Sequence, residues 1–465
     1  IVPGGVDMDT SVVTVIAEKI KDFAEEGIPE VFDRDLSLGR IQPPARGNLV
    51  NVIVGVRRCG KTYRLYQEMH RIVAEGYPQD SILYFNFEDE RLKPYEKELL
   101  QEVIEVFYAR NPRARQEGAF FFFDEIQEVP DWGLFLRRMV DTYKATIYAT
   151  GSSSKMLSTE VASEFRGRAL PRELFPLSFS EFVRYQGHEA PSSNDSASAK
   201  RAFSSNMRAH LRHDCGKYLG RGGFVAVQGL EPSDATLLLQ EYANRTVNYD
   251  VIERYNISNP LVASSFLSRC LASSGRELSL SKVHGEFRSR GLSTSREMLA
   301  RLLRYYQEAY LLFPVKEFSR AVSENARSSA KVYAVDPAMF SAFSPSPTRD
   351  EGQKLETAVF NKLRRQTNLV RQGGIARLSF EKGSARHEVD FVVGDALLQE
   401  AWQLVQVSCS LADAKTRRRE VRALEAAMPL YGVNESWIVT LDETETIETA
   451  TGTIHVVPAW SWLLD

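Results

Sequence analysis

The sequence predicts an α/β fold: a parallel β-sheet covered by helices on both faces, followed by a second α/β unit with its own core. Three observations carry this prediction. Five short apolar runs between residues 49 and 175 alternate with helical patterns, the arrangement that yields parallel strands buried on both faces. A loop bracketed by glycines joins the first run to the helix after it. Beyond the break Phe343-Ser344-Pro345-Ser346-Pro347, a helical pattern at 351–366 leads into further strands and another helix.

A chain of 465 residues has room for two or three domains. Its 58 basic and 61 acidic residues leave a net charge of −3, so nothing global demands a nucleic acid or an acidic partner. Cys59, Cys215, Cys270 and Cys409 form no C-x-x-C pair. That spacing excludes a zinc ribbon and points to a reducing, cytoplasmic setting. No run of 18 apolar residues offers a membrane span, and the N-terminus lacks a basic-then-apolar signal pattern. Ile1-Val2-Pro3-Gly4-Gly5 reads as a processed end or an expression scar, with Met8 a candidate start. Residues 1–45 form an extension with one helical pattern, Val12 to Glu26.

The five runs are Leu49–Val54, Ile82–Phe87, Ala119–Phe123, Thr146–Ala149 and Ala169–Phe175, within a core spanning 46–177. Between the first run and a helix from Tyr63 to Ala74 stands Gly55-Val56-Arg57-Arg58-Cys59-Gly60-Lys61-Thr62, which fits G-x-x-x-x-G-K-[ST]. Strand, glycine loop and helix form the context that gives this motif its meaning. Gly55 and Gly60 allow backbone angles that turn successive N–H groups toward one phosphate. The helix adds its positive end. Lys61 can reach the β- and γ-phosphates, and the Thr62 hydroxyl can ligate Mg²⁺. A nucleoside triphosphate, ATP, is the expected ligand.

The run Ala119–Phe123 delivers Asp124 and Glu125 at its C-terminal end. Asp124 is placed to hold Mg²⁺ opposite Thr62, and Glu125 to orient and deprotonate the attacking water. The fourth run ends in Ala149-Thr150-Gly151-Ser152-Ser153-Ser154. There Ser152, and after it Thr150, is the candidate to bond the γ-phosphate or the lytic water, against the plainer reading of a serine-rich loop. Glu164-Phe165-Arg166-Gly167-Arg168 precedes the fifth run, so Arg166 or Arg168 is a candidate finger inserted into a neighbouring subunit. Surface salt bridging remains the alternative for both.

Taken in order, these parts resemble the AAA-type P-loop ATPases. More narrowly, they resemble a prokaryotic subfamily whose ATPase domain is fused to a C-terminal domain of unknown function. The resemblance rests on the P-loop, Phe85-Asn86-Phe87-Glu88-Asp89, Phe123-Asp124-Glu125-Ile126-Gln127 and Leu177-Ser178-Phe179-Ser180-Glu181-Phe182. It also rests on Tyr218-Leu219-Gly220-Arg221-Gly222-Gly223-Phe224, Asp250-Val251-Ile252-Glu253-Arg254-Tyr255 and Glu388-Val389-Asp390-Phe391. It implies Mg²⁺-dependent ATP hydrolysis and a helical lid over 178–275, with a homo-oligomer as one candidate arrangement and the oligomeric state left open.

Residues 276–331 hold 11 basic and 6 acidic side chains, a local excess inside an acidic chain. Thr294-Ser295-Arg296-Glu297 reads as a capping box, and Met298, Leu299, Leu302, Leu303, Tyr306 and Tyr310 give the helix one apolar face. With the helix Leu280 to Arg290 and the β-like segments Phe313-Pro314-Val315 and Lys331-Val332-Tyr333, segment 276–343 resembles a winged helix. Arg296, Arg301 and Arg304 are then candidate DNA contacts. The competing reading pairs Glu297 with Arg301 and Arg304 with Glu308 across a solvated face.

The unit 348–465 carries Glu356 on a helix, Glu388-Val389-Asp390 at a strand start and Gln406-Val407-Ser408 on the next strand. This layout resembles the PD-(D/E)xK nuclease fold, but Gln406 and Ser408 stand where that fold needs an acid and a lysine. Inactivity as a nuclease is the expectation. The functional expectation is an ATPase acting as a switch or motor on DNA or a protein partner. Its rivals are a regulatory switch that binds protein alone and an ATP-gated nuclease.

Overall fold

The computed structural model describes residues 10–151, 167–190, 203–319, 330–344, 350–366, 374–382 and 385–464. The chain divides into two compact units, 1–174 and 175–465.

The first unit is built on five parallel strands: β1 (Val50–Val54), β2 (Ile82–Asn86), β3 (Ala119–Asp124), β4 (Ala145–Gly151) and β5 (Ala169–Glu173). Their order is β2-β3-β4-β1-β5. Sequence explains the centre of the sheet. Phe120, Phe121, Phe122 and Phe123 are fully buried on β3, and Phe122 stacks on Tyr148 of β4 with ring centroids 4.6 Å apart. Aromatic pairs of this kind add to the burial that holds neighbouring strands together. Helix Thr10–Glu26 packs against β2 and helix Leu99–Arg110, and Lys19 pairs with Asp89 at 2.8 Å.

Register decides what the sheet presents. Val54 of β1 pairs with Gly151 of β4, Ala149 of β4 with Phe123 of β3, and Asp124 of β3 with Asn86 of β2. All these strands therefore end at one edge, where the P-loop begins. Ligands of open parallel sheets bind outside that carboxyl edge.

The second unit opens with helices Phe179–Tyr185, Ser205–Arg221, Pro232–Val247 and Pro260–Leu271, with a π-helical turn at Asn248–Glu253. The glycine-rich stretch after Tyr218 is a junction: the Gly223 amide donates to Asp336 Oδ2 at 2.7 Å, and Tyr218 Oη donates to the Leu177 carbonyl at 3.1 Å. Helices Leu280–Ser289 and Arg296–Glu308 follow, then an antiparallel sheet ordered β6-β8-β7 from β6 (Arg276–Glu277), β7 (Leu312–Val315) and β8 (Lys331–Ala334). Helix Arg296–Glu308 buries Leu299, Leu302 and Tyr306. Its cap is Ser295, not the Thr294 of the expected box, because the Ser295 hydroxyl accepts the Met298 N–H at 3.1 Å.

Helix Glu351–Gln366 leads into a six-stranded mixed sheet. Its strands are β9 (Ile375–Lys382), β10 (Ala385–Asp395), β11 (Glu400–Val407), β12 (Glu435–Thr440), β13 (Glu445–Thr449) and β14 (Gly452–Pro458), in the order β13-β14-β12-β11-β10-β9. Helix Ala414–Tyr431 covers it through Leu424 and Met428, which join Val389, Leu404, Ile438 and Ile454 in one core. The sequence pattern marks strands near Arg377 to Phe380, Val389 to Val393, Leu404 to Val407 and Trp437 to Thr440, which correspond to β9–β12, and misses β13 and β14.

Candidate nucleotide site

The P-loop leaves β1 through Gly55, where a Cβ would stand 2.1 Å from the Leu174 carbonyl oxygen. Only glycine fits that close approach of backbone to backbone. Gly60 takes φ +99° at the N-cap of helix Lys61–Ala74 and has no side chain with which to cap the first-turn N–H groups. Arg58 also lies in the left-handed region, at φ 67°. Alternation of left- and right-handed residues is what curls N–H groups into an anion-binding concavity. The glycine spacing revealed two of these positions; nothing in the sequence marked Arg58.

Lys61 is buried, with its Nζ 3.3 Å from the Gly55 carbonyl, 3.4 Å from that of Val56 and 3.5 Å from Glu125 Oε1. These are long contacts for an ammonium, whose strong charge-assisted bonds run at about 2.7–2.9 Å. Burial would push the Lys61 ammonium down, but Glu125 and then Cys59 and Asp124 hold it above its ordinary value. It remains a cation, loosely held and facing the loop that an anion would fill.

Asp124 ends β3 fully buried. The Thr62 hydroxyl donates to its Oδ2 at 2.6 Å, Tyr84 Oη donates to the same oxygen at 3.1 Å and Asn86 Nδ2 at 3.3 Å. Thr150 donates to Oδ1, while its own hydroxyl accepts the Glu125 N–H at 3.0 Å. Burial drives the Asp124 carboxyl above the usual range and neighbouring Glu125 adds to it, against the pull of the Thr150 and Thr62 hydroxyls. A hydroxyl and a buried carboxylate in contact are the oxygen set Mg²⁺ takes from a P-loop and an acidic strand. The donors therefore fit the ion, which would relieve the charge that burial penalises.

Glu125 sits at φ 53°, a left-handed residue without glycine's freedom. Its Oε2 accepts from Gln127 Nε2 at 2.5 Å. Burial would raise its carboxyl, but Lys61 first and then Gln127 and Arg57 outweigh it and hold the group below the ordinary range. Two adjacent carboxyls are thus driven apart, Asp124 upward and Glu125 downward.

Gly55 to Thr62, Asp124 and Glu125 converge at this edge, and Thr150 joins them. Ser152 and Arg166 lie outside the described residues. Arg168 stands just before β5, at the sheet edge opposite Lys61, and pairs on the surface with Asp141. One strand length, roughly 17 Å, separates the two edges, so Arg168 takes no part in its own chain's site. Arg34 was not anticipated: its Nη1 donates to the Cys59 carbonyl at 2.9 Å, and Gln67 brackets its backbone with two bonds of 3.1 Å. No local motif announces it, since it reaches the loop from 25 residues upstream.

A family profile described as an AAA domain matches residues 47–183, and one described as a domain of unknown function (DUF8612) matches residues 212–350. The uncharacterized protein MJ1544 of Methanocaldococcus jannaschii is 31% identical over 443 residues, which is 94% of this chain and 91% of that protein. The chain belongs to that protein's family. An uncharacterized protein of Haemophilus influenzae is 25% identical over 320 residues, 69% of this chain and 75% of that one. Among solved structures, the Aeropyrum pernix ORC1 protein in complex with DNA is similar over 74% of this chain and 94% of that chain, at 15% identity and a TM-score of 0.26. That overlap is too loose to bear on the argument. The AAA-domain match and the parallel β2-β3-β4-β1-β5 sheet give the first unit the AAA-type P-loop ATPase fold. No helix among the described residues is long and apolar enough to cross a membrane.

Proposed function

We propose that the chain is an Mg²⁺-dependent ATPase whose turnover switches the arrangement of its segments on a DNA partner. In this reading Gly55, Val56, Arg57, Arg58, Cys59 and Gly60 wrap the phosphates through their backbone, and Lys61 leaves Glu125 to countercharge them. Thr62 and Asp124 hold Mg²⁺, which supplies charge neutralisation on the β- and γ-phosphates. Glu125, freed from Lys61, accepts the proton of the attacking water, while Thr150 fixes Glu125 through its backbone N–H. The observation that carries the reading is the contact of Thr62 with Asp124 beside the Lys61–Glu125 pair.

The DNA partner rests on helix Arg296–Glu308. Arg296, Arg301 and Arg304 are exposed while Leu299, Leu302 and Tyr306 are buried, and two helices beside a small antiparallel sheet support a winged-helix reading. Part of the competing pairing is also present, since Arg304 Nε lies 3.6 Å from Glu308 while Arg301 reaches the Met298 sulfur at 3.7 Å. The lid and the nuclease-like unit belong to the same proposal: they are the parts that ATP turnover would move. The test is ATP turnover measured with Mg²⁺ or EDTA, with and without double-stranded DNA, in the parent and in Lys61→Ala. The expected result is turnover that needs Mg²⁺ and Lys61 and rises with DNA. Turnover that survives Lys61→Ala would overturn the site, and indifference to DNA would leave a protein-only switch.

A further inference from the structure

No lysine stands at the end of β11, where Ser408 is, to serve Glu356 of helix Glu351–Gln366 and Asp390 of β10, yet a cation lies between the two acids. It comes from β8. Lys331 Nζ is 3.0 Å from Asp390 Oδ1, 3.2 Å from Glu356 Oε1 and 3.4 Å from Glu388 Oε1. Tyr333, two residues along the same face of β8, donates its hydroxyl to Glu356 Oε1 at 2.6 Å. Asp390 Oδ2 is taken by the Val407 N–H at 3.0 Å. The side chains of Lys331, Glu356 and Asp390 are only 11%, 13% and 14% exposed.

We propose that the Lys331 ammonium is a built-in counter-ion filling a latent divalent-cation site between Glu356 and Asp390. Two half-enclosed carboxylates that aim an oxygen each at one point need a positive charge there. A divalent ion would sit about 2.0–2.2 Å from those oxygens, in the space the ammonium occupies and against a like charge. Lysine and metal are therefore mutually exclusive. Among the described residues no group of three or more His, Cys, Asp or Glu is arranged to hold a metal, so the two acids with Lys331 between them are not a metal centre as they stand.

The surroundings show what the substitution of lysine for metal achieves. Lys331 belongs to the β6-β8-β7 sheet and meets three acids of the following α/β segment. Arg377 of β9 returns the exchange, pairing with Glu277 of β6 and, at 3.2 Å, with Glu317 beyond β7. Backbone bonds run alongside, from the Phe318 N–H to the Arg377 carbonyl at 2.7 Å and from the Arg377 N–H to the Lys316 carbonyl at 2.9 Å. Each segment supplies the cation for the other's acids. The acid pair is a clasp that joins the two segments without a metal.

The test uses the full chain carrying Asp124→Asn, so that the P-loop edge contributes no metal. Mn²⁺ binding is followed by electron paramagnetic resonance and calorimetry, with and without Lys331→Met. The expected result is one additional Mn²⁺ per chain on Lys331→Met, lost again on adding Asp390→Asn. Two results would overturn the proposal: Mn²⁺ bound at Asp390 while Lys331 is present, or no gain in a folded Lys331→Met protein. If Lys331→Met does not fold alone, its thermal transition is measured in millimolar Mn²⁺. Recovery supports the latent site, and failure to recover overturns it. None of these outcomes depends on whether the P-loop turns over ATP.

Discussion

Replacing Glu125 by Gln tests the water-activating role with little structural disturbance. Gln pays the same left-handed backbone strain at φ 53° and keeps an oxygen for the Gln127 amide. Two consequences follow from the geometry. The amide cannot take a proton, so turnover should fall by about 10²–10⁴, the range for losing a positioned general base. The second concerns affinity. Lys61 Nζ lies 3.5 Å from Glu125 with both side chains nearly buried. At an effective dielectric near 20 that separation corresponds to about 5 kcal/mol of attraction. Phosphate must compete with that attraction, although desolvation of the pair offsets most of it. A residue of about 1.4 kcal/mol would make ATP bind roughly tenfold more tightly to Glu125→Gln than to the parent. Phosphate release at saturating Mg²⁺·ATP measures the first effect, and calorimetric titration with a non-hydrolysed ATP analogue the second. Turnover at the parent rate would refute the base assignment. Weaker binding by the Gln variant would refute the claim that the pair holds Lys61 back.

Thr62→Ala and Asp124→Asn should each lower turnover at limiting Mg²⁺ while ATP binding in EDTA persists; identical Mg²⁺ dependence in parent and variants would argue against the oxygen pair. Arg168→Ala should bind ATP normally and lose turnover only if the arginine acts on a neighbouring subunit, which rates measured across protein concentration would reveal; a rate proportional to concentration throughout excludes it. DNA binding should weaken with salt, and each of Arg296→Ala, Arg301→Ala and Arg304→Ala should reduce the log–log slope by about 0.9 if it contacts a phosphate. Asp336 supplies a pH test. Burial raises its carboxyl to about 6, from an ordinary 3.8, against the pull of the Gly223 and Ala338 N–H groups. The folded state thus holds this proton more tightly than the unfolded chain. Its contribution is greatest below about pH 4 and falls as pH rises toward 6, by at most about 3 kcal/mol. Urea melts of the parent and Asp336→Asn across that window should differ in slope, and equal slopes would refute the account.

Legibility in this chain followed the distance over which each feature is determined. The P-loop, the phenylalanine run of β3 and its terminal Asp124-Glu125 are contiguous, so their pattern alone placed them. The partners of Asp124 are not contiguous. Thr62, Tyr84, Asn86 and Thr150 come from a helix and two further strands, and only register brings them to one carboxylate. The serine-rich end of β4 signalled a polar contribution there, and Thr150 makes one. Strand β13 escaped notice because Glu445–Thr449 alternates charged and hydroxyl side chains with a single half-buried isoleucine, a pattern an edge strand shares with a loop. Strand β14 was legible in the alternation of its buried Ile454 and Val456 and was simply not read.

The acid pair of the second unit shows the same limit in sharper form. Read along β11, Gln406 and Ser408 leave Glu356 and Asp390 without a positive charge, which is correct for that strand and wrong for the space around it. The charge arrives from Lys331, on a strand of a different sheet, and Gln406 is bound elsewhere: its Oε1 accepts the Asp390 N–H at 2.7 Å and its Nε2 reaches Glu420. A motif specifies residues at fixed spacing, whereas electrostatics asks only that a cation be within a few ångströms. With a lysine from another segment meeting that demand, the Gln406 amide is left to tie β11 to β10 through the Asp390 N–H and the Glu388 carbonyl. The neutral amide at Gln406 and the Lys331 clasp are thus two parts of one charge balance. The Mn²⁺ experiment tests that balance, because emptying the space of its lysine, with Gln406 and Ser408 left as they are, should be enough to admit a metal.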